Sequence, residues 1–284
     1  MVTDLSETNG WIPVQHESEA LQRDVVTSAV EGAGRKVNMT SRTVSTPRFV
    51  ANGVDVVAEH ATIPLKDATL DEVVLTAHKF ANRFSISIED REDAVVDALN
   101  AYKREWISNF AIKFDNAALG ATAGPYESVY TAVGAGNRTS TAGALSYEDL
   151  VEAVGDLEAG RRGELVVIAH PAFKMGLRNL KDSAGDRVVA DPFGSAVPTV
   201  FGHEVHFSYG AATAATATDE PEGNPLLIVA NKSNLIVGVR SGPESLVSED
   251  PQWVTDEVEL KMRARRGFVL ASADSARVIE LTSA

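Results

Sequence analysis

The chain has 284 residues, of which 44% are hydrophobic and 23% charged, and its formal net charge is −14. This composition supports a substantial buried core and excludes a disordered chain, and the acidic balance argues against a dedicated nucleic-acid binder, because affinity for phosphate backbones comes mainly from clustered Lys and Arg. The absence of cysteine excludes disulfides, thiolate metal sites and cysteine nucleophiles. No apolar run reaches the roughly 18 residues of a membrane span, and no signal peptide is recognisable, so we expect folding in a cytoplasm and no membrane partner.

Residues 1–47 are predicted to form an irregular arm with one short helical pattern at 18–30. The first 34 residues carry six acids and one base, whereas residues 35–48 carry four bases and no acid. An acidic arm followed by a basic stretch is compatible with an arm that lies across neighbouring subunits and with a solvated tail. The sequence leaves both open.

Residues 49–76 have the pattern of a β-hairpin. Asn52-Gly53 is a turn signal, a strand is predicted at 54–57, a polar tip surrounds Pro64, and a second strand covers 73–75. The hairpin has little apolar surface, and two strands that bury no face are marginally stable in water. We therefore expect something outside the monomer core to cover it.

A single long helix is predicted over 88–119. One apolar face recurs at steps of three and four residues, formed by Val95, Leu99, Tyr102, Trp106, Phe110, Phe114 and Ala117. Ser87 and Asp90 form a capping box at its start, and Gly120 ends it. At 1.5 Å per residue the helix would be roughly 48 Å long, more than a core of this size needs, so it is expected to brace an extended molecule.

Five residues of this face are predicted as structural core: Val95, Leu99, Trp106, Phe110 and Phe114. Trp106 is the largest apolar side chain in the middle of the face. We expect it to anchor the helix against the C-terminal strands and not to line a pocket.

The second half of the chain alternates helix and strand signals after a loop at 121–143. Helices are predicted at 146–158 and 171–181, and strands at 164–169, 203–208, 225–230 and 234–239. In the C-terminal strand, Val258, Leu260, Met262 and Ala264 share one face. Arg266-Gly267 is expected to end that strand, with shorter strands at 268–271 and 277–281. This order implies that the last strands pack beside the long helix and that 124–250 is an inserted domain.

No catalytic, cofactor-binding or metal-ligating residues are predicted. Residues 31–36 superficially resemble a phosphate-binding loop but lack the spacing of its glycines and lysine. His203 and His206 are the only closely spaced histidines, and residues three apart on a strand point to opposite faces, which argues against a shared metal. His170 is interpreted as a structural residue at a strand end.

The order and spacing of many short motifs make the chain resemble the phage capsid family, the major capsid proteins of tailed bacteriophages with the Hong Kong 97-like fold. The motifs are Trp11-Ile12-Pro13, Val56-Val57-Ala58-Glu59, Ser85-Ile86-Ser87-Ile88-Glu89-Asp90, Phe114-Asp115-Asn116-Ala117-Ala118-Leu119-Gly120, Val167-Ile168-Ala169-His170-Pro171, Phe201-Gly202-His203-Glu204-Val205 and Arg265-Arg266-Gly267-Phe268. The resemblance covers nearly the whole chain.

The resemblance implies an α+β fold of four parts. These are an N-terminal arm (1–41), an extended-loop hairpin (42–78), a peripheral domain with the long helix as its spine (79–120 and 251–284) and an α/β axial domain (121–250). Contacts between subunits are then expected at Arg42, Arg48, Glu59, Lys66 and Asp67.

The implied function is that of a non-enzymatic shell subunit of an icosahedral head enclosing double-stranded DNA. Its expected partners are copies of itself in hexamers and pentamers, a separate scaffolding protein, a portal, a possible decoration protein, and DNA only non-specifically. No cofactor is expected. Its expected location is the virion, after assembly in the host cytoplasm.

Two alternatives arise within this fold. An encapsulin-type nanocompartment shell encloses cargo enzymes instead of a genome. Some capsid proteins also join a lysine of the extended loop to an asparagine of a neighbour; Lys66 stands where that lysine would be, but the last asparagine is Asn234, before the C-terminal strands. We therefore expect no covalent cross-links.

Overall fold

The computed structural model describes residues 26–50, 54–65, 69–93, 98–160, 163–181, 199–252 and 256–282. They form a mixed α/β fold. The α-helices are α1 (Ala29–Ala33), α2 (Ile88–Asp93), α3 (Ala98–Leu119), α4 (Val129–Ala132), α5 (Tyr147–Ala159) and α6 (Phe173–Asn179). The strands are β1 (Arg35–Asn38), β2 (Thr43–Val50), β3 (Thr69–Ser87), β4 (Ala121–Ala123), β5 (Arg138–Ala142), β6 (Leu165–Ala169), β7 (Thr199–Val200), β8 (His203–Phe207), β9 (Ala214–Thr216), β10 (Leu226–Asn231), β11 (Leu235–Gln252), β12 (Glu257–Leu270) and β13 (Ala276–Thr282).

The first sheet has the strand order β1-β11-β12-β3-β2. The long strand β3 pairs with β2 over its first part, from Thr69 to Thr76, and with β12 over the remainder, from Ala77 to Ser87. The hairpin is thus a direct extension of a core strand.

The second sheet has the order β5-β13-β10-β6-β8-β7, and β4 pairs with β9 in a separate two-stranded ribbon. Every residue of β6 and β10 is buried, which is typical of strands covered on both faces. The two faces of β6 pack into different hydrophobic clusters. Val166 and Ile168 belong to the cluster that contains α3. Val167 and Ala169 belong to the cluster that contains residues of α5 and α6.

The largest hydrophobic cluster joins the two sheets through α3. The apolar face of the helix packs against β12, whose Val258, Leu260, Met262 and Ala264 alternate with charged residues and are at most 2% exposed. This confirms the predicted face of the C-terminal strand and its packing beside the helix.

Several predicted elements are confirmed with small shifts of boundary. Helix α5 begins after Ser146, whose side-chain oxygen accepts a hydrogen bond from the backbone N–H of Glu148. Helix α3 ends at Leu119, before Gly120. A Cβ on Gly120 would lie 2.0 Å from the carbonyl oxygen of Ala212, so the close approach of the two backbones requires glycine there. Residues 94–97 lie outside the described residues, so the predicted continuity of 88–119 is described only as α2 and α3.

The prediction of an irregular arm over 1–47 was wrong for its second part. Residues 35–38 form β1, which pairs in parallel with β11, and residues 43–47 belong to β2. In the described part of the helix predicted over 18–30, residues 26–28 are not helical, and α1 begins at Ala29 because Ser28 has extended backbone angles and caps it. Residues 1–25 lie outside the described residues.

The predicted strand at 54–57 is also absent. Val50 pairs with Thr69, so residues 51–68 connect the two strands, and 54–58 have no regular secondary structure. Valines here favoured a strand by propensity, yet they pair with none of the described strands. The turn signal at Asn52-Gly53 lies outside the described residues.

In the C-terminal part, two predicted strand ends were wrong. Strand β12 continues through Arg266-Gly267, and Gly267 lies opposite Gly238 of β11. A Cβ on Gly267 would lie 2.9 Å from the carbonyl oxygen of Thr76, so this glycine permits close strand packing and does not end the strand. Strand β11 likewise runs on past residue 239, where its polar sequence resembles a loop. Finally, β13 joins the second sheet, between β5 and β10.

Candidate assembly surfaces

Aromatic side chains along α3 hold the first sheet in place. Trp106 is 8% exposed and stacks on Phe110 with ring centroids 5.3 Å apart. Phe80 of β3 meets Phe110 edge-on at 5.4 Å, and Phe114 is fully buried. Leu99 is partly buried against the same cluster. Val95 lies outside the described residues.

Trp106 does line a groove, contrary to the expectation from the sequence. The groove has a volume of about 680 Å³ and runs between α3, β3 and the β4-β9 ribbon. Tyr102 and Lys113 of the helix and Asn82 of β3 also line it. The sequence could not indicate it, because the groove is created by where the ribbon packs.

The hairpin is fixed to the core by Arg48. Its guanidinium donates hydrogen bonds to the Asp71 carboxylate on the paired strand and to the carbonyl oxygen of Ala271. The hydrogen bond from Arg48 lowers the pKa of Asp71 below its ordinary value. Arg48, predicted as a contact between subunits, therefore already has partners within its own chain.

The connection beyond the hairpin is almost fully exposed. Four apolar side chains at 54–65 are between 79% and 102% exposed: Val54, Val56, Ile63 and Leu65. Glu59 lies among them, 92% exposed and 3.9 Å from His60. Lys66 and Asp67 lie outside the described residues. A surface of this kind is typical of a segment that is covered by another molecule.

The opposite end of the hairpin is basic. Arg42 precedes β2, and its carbonyl oxygen accepts a hydrogen bond from the N–H of Ala77 on β3. Lys79, Arg240 and Arg265 join Arg42 around one small cavity. Sequence reasoning found Arg42 alone, since the others come from β3, β11 and β12 and meet only through the strand register.

Sequence reasoning also missed the role of Asp115, a fully buried carboxylate on α3. It accepts hydrogen bonds from the Ser28 hydroxyl, the backbone N–H groups of Ala29 and Val30, and the Ser208 hydroxyl. Burial raises its pKa to about 6, because the loss of hydration outweighs these four donors. Asp115 thereby fastens the start of α1 to α3. In the sequence, the signal for this role was a single acidic residue on the buried face of a helix.

His203 and His206 lie beside single carboxylates, and His170 lies at a strand end. In the part of the chain that the structure describes, no group of three or more His, Asp and Glu side chains could hold a metal ion. His203 lies 3.0 Å from Glu158 and His206 lies 3.6 Å from Glu204. Burial lowers the pKa of His170, whose Nδ1 accepts a hydrogen bond from the N–H of Ala172. No helix among the described residues is long and apolar enough to cross a membrane.

An exposed apolar connection on a braced hairpin is typical of a protein that associates with other subunits through this surface. The sequence profile of the phage capsid family matches residues 10–281, and the chain belongs to that family. Its function is therefore that of a major capsid protein, and its place is the virion.

Solved structures share this fold over almost their entire lengths. The chain is similar to a protein of Mycobacterium phage Adephagia, with 21% identity, a TM-score of 0.72, and coverage of 100% of this chain and 99% of that one. A protein of Microbacterium phage Oxtober96 is 18% identical with a TM-score of 0.72, covering 99% of this chain and 100% of that one. The capsid of a native GTA particle is 16% identical with a TM-score of 0.73, covering 99% of this chain and 100% of that one.

A search of curated proteins found no match. The family match favours the phage capsid interpretation over an encapsulin-type shell.

Proposed function

We propose that the chain assembles into the hexamers and pentamers of an icosahedral head that encloses double-stranded DNA. The observation that carries this proposal is the connection at 54–65, with four apolar side chains at least 79% exposed. Apolar surface in water costs about 25 cal/mol per Å², and a shell in which each hairpin lies on an adjacent subunit removes that cost. Arg42, Glu59, Lys66 and Asp67 are proposed to lie at these contacts, and Arg48 to orient the hairpin towards them.

The proposed organisation is Hong Kong 97-like, with an arm (1–41), an extended loop (42–78), a peripheral domain (79–120 and 251–284) and an axial domain (121–250). Helix α3 serves as the spine of the peripheral domain. The pairing of β3 with β12 supports joining 79–120 to the C-terminal segment. The pairing of β13 with β5 and β10 links that segment to the axial domain as well.

The role is proposed to be structural and not enzymatic, with assembly in the host cytoplasm. A separate scaffolding protein, a portal and a decoration protein are the proposed partners. The net charge of −14 supports only non-specific contact with packaged DNA, because a container that repels phosphate lets the duplex slide.

The purified chain is expected to form oligomers when concentrated or mixed with its scaffolding protein. Size-exclusion chromatography with light scattering measures their mass. A matched variant in which 54–65 is replaced by a short Gly-Ser linker should stay monomeric and keep its melting temperature, because the four apolar side chains of this segment are at least 79% exposed in the subunit. A wild-type chain that is strictly monomeric at high concentration with scaffold present would contradict the proposal.

Mature shells are expected to contain no covalent links between subunits. Lys66 has no asparagine partner in the C-terminal strands, since the last asparagine is Asn234. Boiled, denatured particles should therefore run as one monomer band on a gel, and Lys66→Ala particles should run identically. A ladder of multimers that disappears in Lys66→Ala would show that a partner exists elsewhere.

A further inference from the structure

A small cavity on the first sheet is surrounded by positive charge. It has a volume of about 320 Å³ and is lined by Arg42, Ala77, His78, Lys79, Arg240 and Arg265. No acid lines it. We call the four cations Arg42, Lys79, Arg240 and Arg265 the basal basic cluster, because they lie where the hairpin joins the core.

The strand register places like charges opposite each other in this cluster. Lys79 of β3 lies directly across from Arg265 of β12. Like charges at opposed positions destabilise a sheet. None of the four cations forms an ion pair with another described residue, although neighbouring positions do: Arg263 lies 2.8 Å from Glu244 and Arg83 lies 3.4 Å from Glu259. The cluster therefore has the composition of an anion-binding site.

The donor groups indicate which anions the cluster can bind. Guanidinium groups present a planar set of N–H donors that matches carboxylate and phosphate oxygens. None of these four cations forms an ion pair with another described residue, and a second copy of a chain of net charge −14 presents an excess of carboxylates to them. Glu59 is 92% exposed and lies on the surface that the proposed function buries between subunits.

We propose that the basal basic cluster binds the Glu59 carboxylate of loop 54–65 from a second copy of the chain. This inference rests on the proposed function, since it assigns the receiving surface for the exposed loop. The proposed contact has one neighbouring histidine on each side. His78 lines the cavity on the receiving subunit, and His60 lies beside Glu59 on the other subunit.

A second copy is needed because Glu59 and the cluster lie at opposite ends of the hairpin. Eight registered residue pairs, from Thr43 with Thr76 to Val50 with Thr69, separate them. At about 3.4 Å per residue this is roughly 25 Å. No residue of the loop lines the cavity of its own subunit.

The hairpin has Glu59 at its tip and the basal basic cluster at the end that joins the core. Binding of one subunit's tip to the cluster of the next subunit is a head-to-tail contact. Each subunit then offers one Glu59 and one cluster, and neither is used twice. Such heterologous contacts generate rings when the rotation between subunits closes. The arrangement therefore supports cyclic capsomers.

A charge exchange tests the contact. Lys79→Glu places a carboxylate opposite Arg265, so the melting temperature of the monomer should not fall, whereas assembly should weaken. Glu59→Lys should also weaken assembly, and the double variant should restore it. By sedimentation velocity, each single change should raise the concentration at half-assembly about tenfold or more, and the double variant should return within about threefold of wild type.

Lys36→Glu is the matched control. It makes the same charge change on the exposed surface of β1 outside the cavity, and assembly should stay close to wild type. If wild-type subunits assemble and the exchange variants assemble equally well, this inference fails while the proposed function stands. If wild-type subunits do not assemble, the proposed function fails.

A phosphate ligand is the competing possibility, and calorimetry with inorganic phosphate and with a short DNA duplex separates it. The proposal would be overturned in favour of phosphate if wild type bound these probes, Lys79→Glu did not bind them, and Glu59→Lys assembled like wild type. Restoration of assembly only in the double variant supports the carboxylate of the second copy.

Discussion

Truncating Trp106 to alanine is expected to leave the protein largely insoluble or unassembled. The indole is 8% exposed, stacks on Phe110, and belongs to the cluster that joins α3 to β12. Removing a buried tryptophan costs about 3–5 kcal/mol, a large part of the 5–15 kcal/mol that typically stabilises a domain. Chemical denaturation of the soluble fraction measures the loss in the free energy of unfolding.

Two variants serve as controls for this experiment. Trp106→Phe retains a ring against Phe110 and should lose less stability than the alanine variant. Val151→Ala removes a side chain that is 41% exposed on α5, and its effect should stay within about 0.5 kcal/mol. Normal assembly of Trp106→Ala with an unchanged melting temperature would contradict the role of the helix as the brace of the first sheet.

Asp115→Ala is expected to be the second most damaging change. It removes the acceptor shared by the Ser28 and Ser208 hydroxyls and leaves the buried N–H groups of Ala29 and Val30 unpaired. Each unpaired buried donor costs about 1–3 kcal/mol, so the two backbone groups alone cost roughly 2–6 kcal/mol. Denaturation at pH 5 measures this loss. Asp274→Ala, an exposed carboxylate, is the control and should change little.

The Asp115 carboxyl makes the free energy of unfolding depend on pH. Its pKa in the folded protein is about 6, above its ordinary value of 3.8. The folded state therefore holds more protons than the unfolded state between these values, and the free energy of unfolding contributed by Asp115 falls as pH rises through this window. Two units at 1.36 kcal/mol each give a decrease of about 3 kcal/mol.

The pH profile of Asp115→Asn isolates this contribution. An amide does not titrate, so the difference in unfolding free energy between wild type and variant should favour wild type most below about pH 4 and shrink towards pH 7. A difference that stays constant across this range would mean that the carboxyl titrates equally in both states.

The sequence predicted best those elements whose burial is periodic. The apolar stripe of α3 and the alternation in β12 both follow from local spacing. Long strands with polar sequence were missed: β11 continues past residue 239 only because β12 pairs with it over its whole length. Such pairing is a property of two distant segments and leaves no local period.

The candidate contact residues also divide into those that could be expected from the sequence and those that depend on the pairing of distant segments. Glu59 was singled out because the resemblance to the phage capsid family implies contacts between subunits at the extended loop. Lys79, Arg240 and Arg265 could not be connected without the register of three strands. The groove beside Trp106 likewise depends on where the β4-β9 ribbon packs, which local sequence does not encode.

Strand β3 also determines how the subunit carries mechanical load. It has 19 residues and is roughly 65 Å long at 3.4 Å per residue. A pull on the loop beyond the hairpin acts along this strand, whereas its hydrogen bonds to β12 lie across it. The bonds are therefore loaded together in shear and not broken one after another. Tension applied at an edge of the shell passes directly into the core sheet of each subunit.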